Sequence, residues 1–105
     1  MTDPRSVRYL QQMDQVIRHD PDGSRFVAEC DKQVAELRYA ERGPDTLDFH
    51  HTFVPPAFRG RGVAGALSAG ALEWARATGR KVRPSCPYVA AYLRRHPEYA
   101  DLIAE

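Results

Sequence analysis

Near Pro55-Pro56 the spacing of apolar residues changes from every second position to every third or fourth, which leaves few folds open to the chain. Upstream, Arg25–Cys30 alternates, with Phe26, Ala28 and Cys30 on one face and Arg25, Val27 and Glu29 on the other. Val34–Ala40 alternates again with Ala35, Leu37 and Tyr39 together, and Thr46–Val54 groups Leu47, Phe49, His51 and Phe53. Side chains two apart share a face only in an extended strand. A further strand is expected around Gln15–Arg18, ending at the turn signal Asp20-Pro21-Asp22-Gly23. Short turns at Asp31-Lys32 and Glu41–Asp45 join these runs, so an antiparallel meander is predicted.

Downstream, Val63, Leu67, Ala71 and Trp74 recur at helical spacing, and Gly79 is placed to close that helix as a left-handed cap. Lys81–Pro84 follows as a short strand, parallel to the strand before the helix because the helix crosses between them. Pro87 suits the first turn of a second helix running to about Arg95, capped by Cys86 or Ser85. Pro97–Ala104 returns Tyr99 and Leu102 to the core. The expected fold is α/β, a mixed and mostly antiparallel sheet with a β-helix-β unit in its second half.

A chain of 105 residues, 43% hydrophobic and 28% charged, makes one domain with a modest core. Residues 15–105 are read as that domain, and 1–14 as a loose tail or one short helix. No run of about 18 apolar residues exists to span a membrane, and the N-terminus lacks the apolar stretch of a secretory signal. A cytoplasmic protein is expected, with Cys30 and Cys86 as free thiols and no membrane partner. Neither a metal nor a nucleic-acid partner is expected, and the chain is read as a monomer or weak dimer.

The net charge of +1 hides a strong asymmetry. Residues 1–58 carry seven basic and ten acidic side chains. Residues 59–95 carry eight basic ones (Arg59, Arg61, Arg76, Arg80, Lys81, Arg83, Arg94, Arg95) against Glu73 alone. Such a segment calls for an anion. Five of the seven glycines (Gly60, Gly62, Gly65, Gly70, Gly79) lie in the same region. Glycines at a helix entrance let a ligand approach the backbone, whose free N–H groups and dipole favour phosphate. The alternative is a turn needed only for tight helix–strand packing.

Gly60, Gly62 and Gly65 also match G-x-G-x-x-G, the dinucleotide fingerprint. That motif should directly follow an apolar parallel strand and be trailed by an acidic ribose ligand about 20 residues on. Here Pro55-Pro56 intervene, the preceding strand alternates with polar residues, and the next strand reads Lys81-Val82-Arg83. The match therefore carries little.

A different family fits. Val54-Pro55-Pro56-Ala57-Phe58-Arg59-Gly60-Arg61-Gly62-Val63-Ala64 resembles the acyl-CoA loop of the GNAT superfamily of N-acetyltransferases, whose pattern Gln/Arg-x-x-Gly-x-Gly/Ala is met by Arg59, Gly62 and Ala64. Leu47–Pro55, Pro84–Val89 and Arg95–Tyr99 resemble signatures of a subgroup of very small GNAT-like proteins, so the similarity covers roughly residues 15–104. The resemblance implies that acetyl-CoA lies between the strand ending near Val54 and the strand Lys81–Pro84, which splay apart. It also implies that the Gly60–Gly65 backbone holds the CoA pyrophosphate, with Val54, Arg59, Arg61, Val63 and Ala64 around it. Typical members place a larger acceptor-shaping segment before their central strands. Only 45 residues precede the strand of His51 here, so an open acceptor site is expected.

Further candidates lie outside the loop. His51, on the face of Leu47 and Phe49, is either a core histidine or a base that takes a proton from an attacking amine or a thiol. His50 is read as a solvated residue beside Asp48 and Thr52. Tyr88 and Tyr92, four apart on the second helix, are a packed pair or a proton donor to the departing CoA thiolate. Cys86, at a helix start near arginines, is either a small buried cap or a nucleophile that takes the acetyl group as a thioester. Arg94 and Arg95 either reach the CoA phosphates or are solvated. The expected function is acetyl transfer from acetyl-CoA to an amine acceptor, a small molecule or a protein; the alternative is a non-catalytic acyl-CoA-binding module.

Overall fold

The computed structural model describes residues 8–12 and 15–104. Among the described residues six strands form a single sheet in chain order: β1 (Arg8–Gln12), β2 (Gln15–Asp20), β3 (Arg25–Cys30), β4 (Gln33–Glu41), β5 (Thr46–Phe53) and β6 (Lys81–Pro84). Neighbours are antiparallel except β5 and β6, which are parallel. Helix α1 (Val63–Ala77) crosses between those two, and α2 (Pro87–Arg95) with a 3₁₀ turn (Pro97–Leu102) completes the chain. No helix among the described residues is long and apolar enough to cross a membrane.

The meander follows the alternating pattern. Phe26, Ala28, Ala35, Leu37, Leu47 and Phe49 are buried beneath α1, which contributes Leu67, Ala71, Leu72 and Ala75. Burying such side chains is worth roughly 1.5–3 kcal/mol each for the larger aliphatic and aromatic ones. The helix can lie close because the residue facing β2 is Gly70: a Cβ there would stand 3.2 Å from Ile17 Cγ2. Gly79, at φ +71°, ends the helix in the left-handed conformation. The shortest dimension, 20 Å, fits one sheet and one helical layer; among the described residues no helix lies on the opposite sheet face, although Val27 and Asp48 on it are buried.

Two features depart from the sequence pattern. Arg8–Gln12, within the stretch expected to be a tail or short helix, is a strand paired with β2 from Arg8↔His19 to Gln12↔Gln15. Its sequence lacks apolar alternation; the open backbone donors and acceptors at the edge of β2 recruit it instead. Residues 1–7 and 13–14 of that stretch lie outside the described residues. The second departure lies in β5. Its register on β4 runs Arg38↔His51 and then Tyr39↔Phe49, so His50 is an extra residue, a β-bulge. Leu47 and Phe49 are buried on the core face as expected. Beyond the bulge the faces exchange: Thr52 lies opposite buried Leu37, while His51 and Phe53 lie opposite Arg38 and Glu36 on the face away from α1. The expected grouping of His51 and Phe53 with Leu47 and Phe49 is thereby corrected.

Candidate functional site

Strands β5 and β6 pair only from Thr46↔Lys81 to Phe49↔Pro84. The last backbone hydrogen bond between the two segments is the Cys86 N–H donating to the Phe49 carbonyl at 2.8 Å. From there β5 continues along β4 while the other segment turns into α2. The divergence leaves a cavity of about 450 Å³. Thr52 and Val54 of β5, Tyr88 of α2, and Phe58, Arg59, Gly60, Gly62, Val63 and Ala64 of the connection line it.

The connection is shaped by its own residues. Pro55 and Pro56 start a single 3₁₀ turn, closed by the Phe58 N–H on the Pro55 carbonyl at 2.9 Å. Arg59 folds back so that Nε donates to the Val54 carbonyl at 3.0 Å. Gly60 and Gly62 then take φ of +79° and +81°, a region that L side chains enter only with strain. Gly62 caps α1, and its carbonyl accepts the first helical bond, from the Ala66 N–H at 3.0 Å. The N–H groups of Val63, Ala64 and Gly65 therefore have no helical partner. The first turn holds no acidic side chain, and Arg59 and Arg61 flank it. Unpaired N–H groups, the positive end of a 15-residue helix and adjacent guanidinium groups have the chemistry that suits an anion.

The other end of the cavity is different. Cys86 caps α2, is 6% exposed, and its Sγ lies 3.3 Å from Thr52 Oγ1. Thr52 lines the cavity and the cysteine does not, so the sulfur sits beside the wall that Thr52 forms. Tyr88, in the first turn of α2, is 42% exposed and also faces the cavity. One turn on, Tyr92 is buried against the His96 ring (4.0 Å between centroids) and Tyr99, and burial pushes its phenol up from its ordinary value.

Among the residues singled out from sequence, Val54, Arg59, Gly60, Gly62, Val63, Ala64 and Tyr88 meet at this cavity. Gly65 is buried within α1 rather than lining it, and Arg61 lies over the Phe58 ring at 5.3 Å. Tyr92 is turned into the core, and Arg94 and Arg95 are exposed outside the lining. His51 stands exposed on the sheet face away from α1, on the opposite side of β5 from Thr52, because of the bulge at His50. Thr52 and Phe58 are the lining residues that sequence reasoning did not single out. The Pro-Pro-Ala-Phe turn was a usable signal for Phe58; for Thr52 there was none, since the bulge reverses its face.

A family model described as GCN5-related N-acetyl-transferase matches residues 25–102. The chain belongs to the GCN5-related N-acetyltransferase family. The match runs from β3 to the final turn and contains every residue that lines the cavity. Curated relatives include Protein NATD1 of Xenopus tropicalis, 38% identical over 63 residues, which cover 60% of this chain and 58% of that protein. Protein NATD1 of Gallus gallus is 31% identical over 83 residues, 77% of this chain and 76% of that protein. The Danio rerio protein of the same name is 34% identical over 71 residues, 66% and 64% of the two chains. The chain thus spans somewhat over half the length of the Xenopus relative. Family membership supports an acetyltransferase-like protein.

Proposed function

We propose that the cavity binds acetyl-CoA and that the protein transfers its acetyl group to an amine. The observation that carries this reading is the opening between β5 and α2, walled by the glycine-rich entrance of α1. The donor set fits such a ligand. The N–H groups at Val63–Gly65, with Arg59 and Arg61, suit the pyrophosphate; Val54, Phe58 and Val63 suit the apolar stretch of the pantetheine arm; and the thioester then reaches Thr52 and Tyr88. Acetyl-CoA supplies an activated acyl group. In the transfer, the amine nitrogen bonds to the carbonyl carbon, the C–S bond breaks, and its electron pair leaves on the CoA sulfur. Tyr88 donates its phenolic proton to that sulfur and recovers one from the nitrogen, so amide and CoA thiol are the products. His51 has no part in this step, since it faces away from the cavity. The two free thiols, Cys30 and Cys86, suit a reducing cytoplasm.

A second reading has Cys86 Sγ lose its proton and bond to the carbonyl carbon while the CoA C–S bond breaks and CoA leaves as the thiol. The amine then attacks the resulting thioester and returns the Cys86 thiol; the sulfur's place beside the cavity wall, 3.3 Å from Thr52 Oγ1, is the observation for it. The two routes separate by mass. Protein incubated with acetyl-CoA without acceptor gains one acetyl group in the covalent route, lost in Cys86→Ala, and stays unmodified in direct attack. The reading as a whole is tested by adding acetyl-CoA with a panel of primary amines and following free CoA thiol. Thermal stabilisation with thiol release supports the transferase; stabilisation without release under any amine makes the protein a binding module; no stabilisation removes the acetyl-CoA reading.

A further inference from the structure

We infer that the Thr52 hydroxyl is a catalytic hydrogen-bond donor to the thioester carbonyl and that Cys86 is the residue that aims it. The inference rests on the acetyl-CoA reading above and goes beyond it by assigning the group that polarises the reacting carbonyl.

Thr52 reaches the cavity only because of the bulge at His50, which turns it to the core side of β5 opposite Leu37. Its backbone is held in the β4–β5 ladder, so the side chain stands on a rigid strand rather than on a loop. Among the described residues its hydroxyl has a single hydrogen-bond partner, Cys86 Sγ at 3.3 Å. A hydroxyl can donate once and accept twice, and oxygen is a much better acceptor than sulfur. Either atom can be the donor in this contact; with the thiol as donor to Thr52 Oγ1, the hydroxyl proton is left to point elsewhere. Thr52 lines the cavity while Cys86 does not, so with the thiol as donor the hydroxyl proton is free to turn to the space that the acetyl-CoA reading gives to the acyl end.

The chemistry at that point needs a donor. As the amine nitrogen bonds to the carbonyl carbon, the π electrons move onto the carbonyl oxygen; they return when the C–S bond breaks and the pair leaves on sulfur. A donor fixed beforehand strengthens as the charge develops and costs no reorganisation. The thiol has its own anchor, since the Cys86 N–H is tied to the Phe49 carbonyl at 2.8 Å and Pro87 fixes the next φ. Cys86 is in this account a positioning residue, holding one lone pair of Thr52 Oγ1 and thereby setting the rotation of its O–H.

The experiment is isotope-edited infrared spectroscopy of acetyl-CoA carrying ¹³C at the thioester carbonyl, bound to the whole protein, with binding checked by thermal shift. In the wild-type protein the bound carbonyl band is expected at lower wavenumber than in an aprotic solvent. Thr52→Val, which keeps the shape and removes the donor, is expected to bind acetyl-CoA within about tenfold of wild type yet abolish the displacement in the saturated complex. Thr52→Ser is expected to retain most of it, and Cys86→Ala to bind but show a broadened, smaller displacement that Cys86→Ser restores. An undisplaced band in the wild-type complex overturns the inference without any variant. A displacement unchanged in Thr52→Val, or lost equally in Thr52→Ser, overturns it as well. Failure of acetyl-CoA to bind at all removes the underlying reading and the inference with it, a result distinguishable from a bound ligand with an unperturbed carbonyl.

Discussion

The N-termini of α1 and α2 look onto one cavity and are built in opposite ways. Neither has a side-chain cap, and neither has an acidic residue in its first turn. Ordinarily Ser, Thr, Asp or Asn fills that place, at about 1 kcal/mol. At α1 the capping residue is glycine in the left-handed conformation, and Gly60, Arg61 and Gly62 are exposed. At α2 it is a buried cysteine whose N–H is tied to β5 and whose neighbour is proline. The first end leaves its N–H groups open to an incoming anion. The second has one N–H fewer, because of Pro87, and its capping residue is tied to the strand. On the proposed reading, the comparison teaches that an uncapped helix end can serve binding only where the chain around it is kept small and accessible.

The largest expected effect breaks the α1 side. A ligand at a hundredfold excess over Kd stabilises the native state by about 2.7 kcal/mol, which in a domain of about 100 residues raises Tm by roughly 10–20 °C. Gly62→Val is expected to remove that response to acetyl-CoA, since the side chain would occupy the approach to the free N–H groups. Valine is also strained at φ +81°, so Gly62→Asn, which tolerates the left-handed region better, is the companion. Both variants should fold and both should lose the response in a thermal-shift series. A full response in either would move the anion site away from α1.

A smaller effect is expected from the arginines. Arg59→Ala removes both the bond to the Val54 carbonyl and a cation at the cavity wall, and should weaken acetyl-CoA binding about tenfold by calorimetric titration. Arg94→Ala and Arg95→Ala lie beyond the cavity lining and should change affinity less than about twofold at moderate salt. Equal losses at all three would extend the phosphate site to the far end of α2.

The smallest effect belongs to the α2 side. Pro87→Ala should lower stability by about 0.4–1 kcal/mol in urea unfolding, through greater freedom of the unfolded chain. The acetyl-CoA response should survive. Loss of that response without loss of stability would show that α2 takes part in anion binding.

Each of these tests draws on information of two kinds. Alternation in Arg25–Cys30 and Val34–Ala40, helical spacing from Val63, and proline and glycine at helix ends are local properties, and these elements and their core faces were legible from sequence, though the burial of Val27 on the other face of its strand was not. The glycine-rich, arginine-flanked turn into α1 was legible for the same reason, since φ above zero and an exposed helix start depend on the residues present. β1 was not legible, because a polar pentapeptide becomes a strand only when a neighbouring edge offers it hydrogen bonds. The separation of Tyr88 from Tyr92 was not legible either: α2 overhangs the cavity at its start and packs against the final turn one turn later. The choice between His51 and Thr52 as the cavity-facing residue was likewise left to the tertiary structure. A bulge is a mismatch between two strands, and whether His50 counts in the alternation of β5 depends on how β4 pairs across from it.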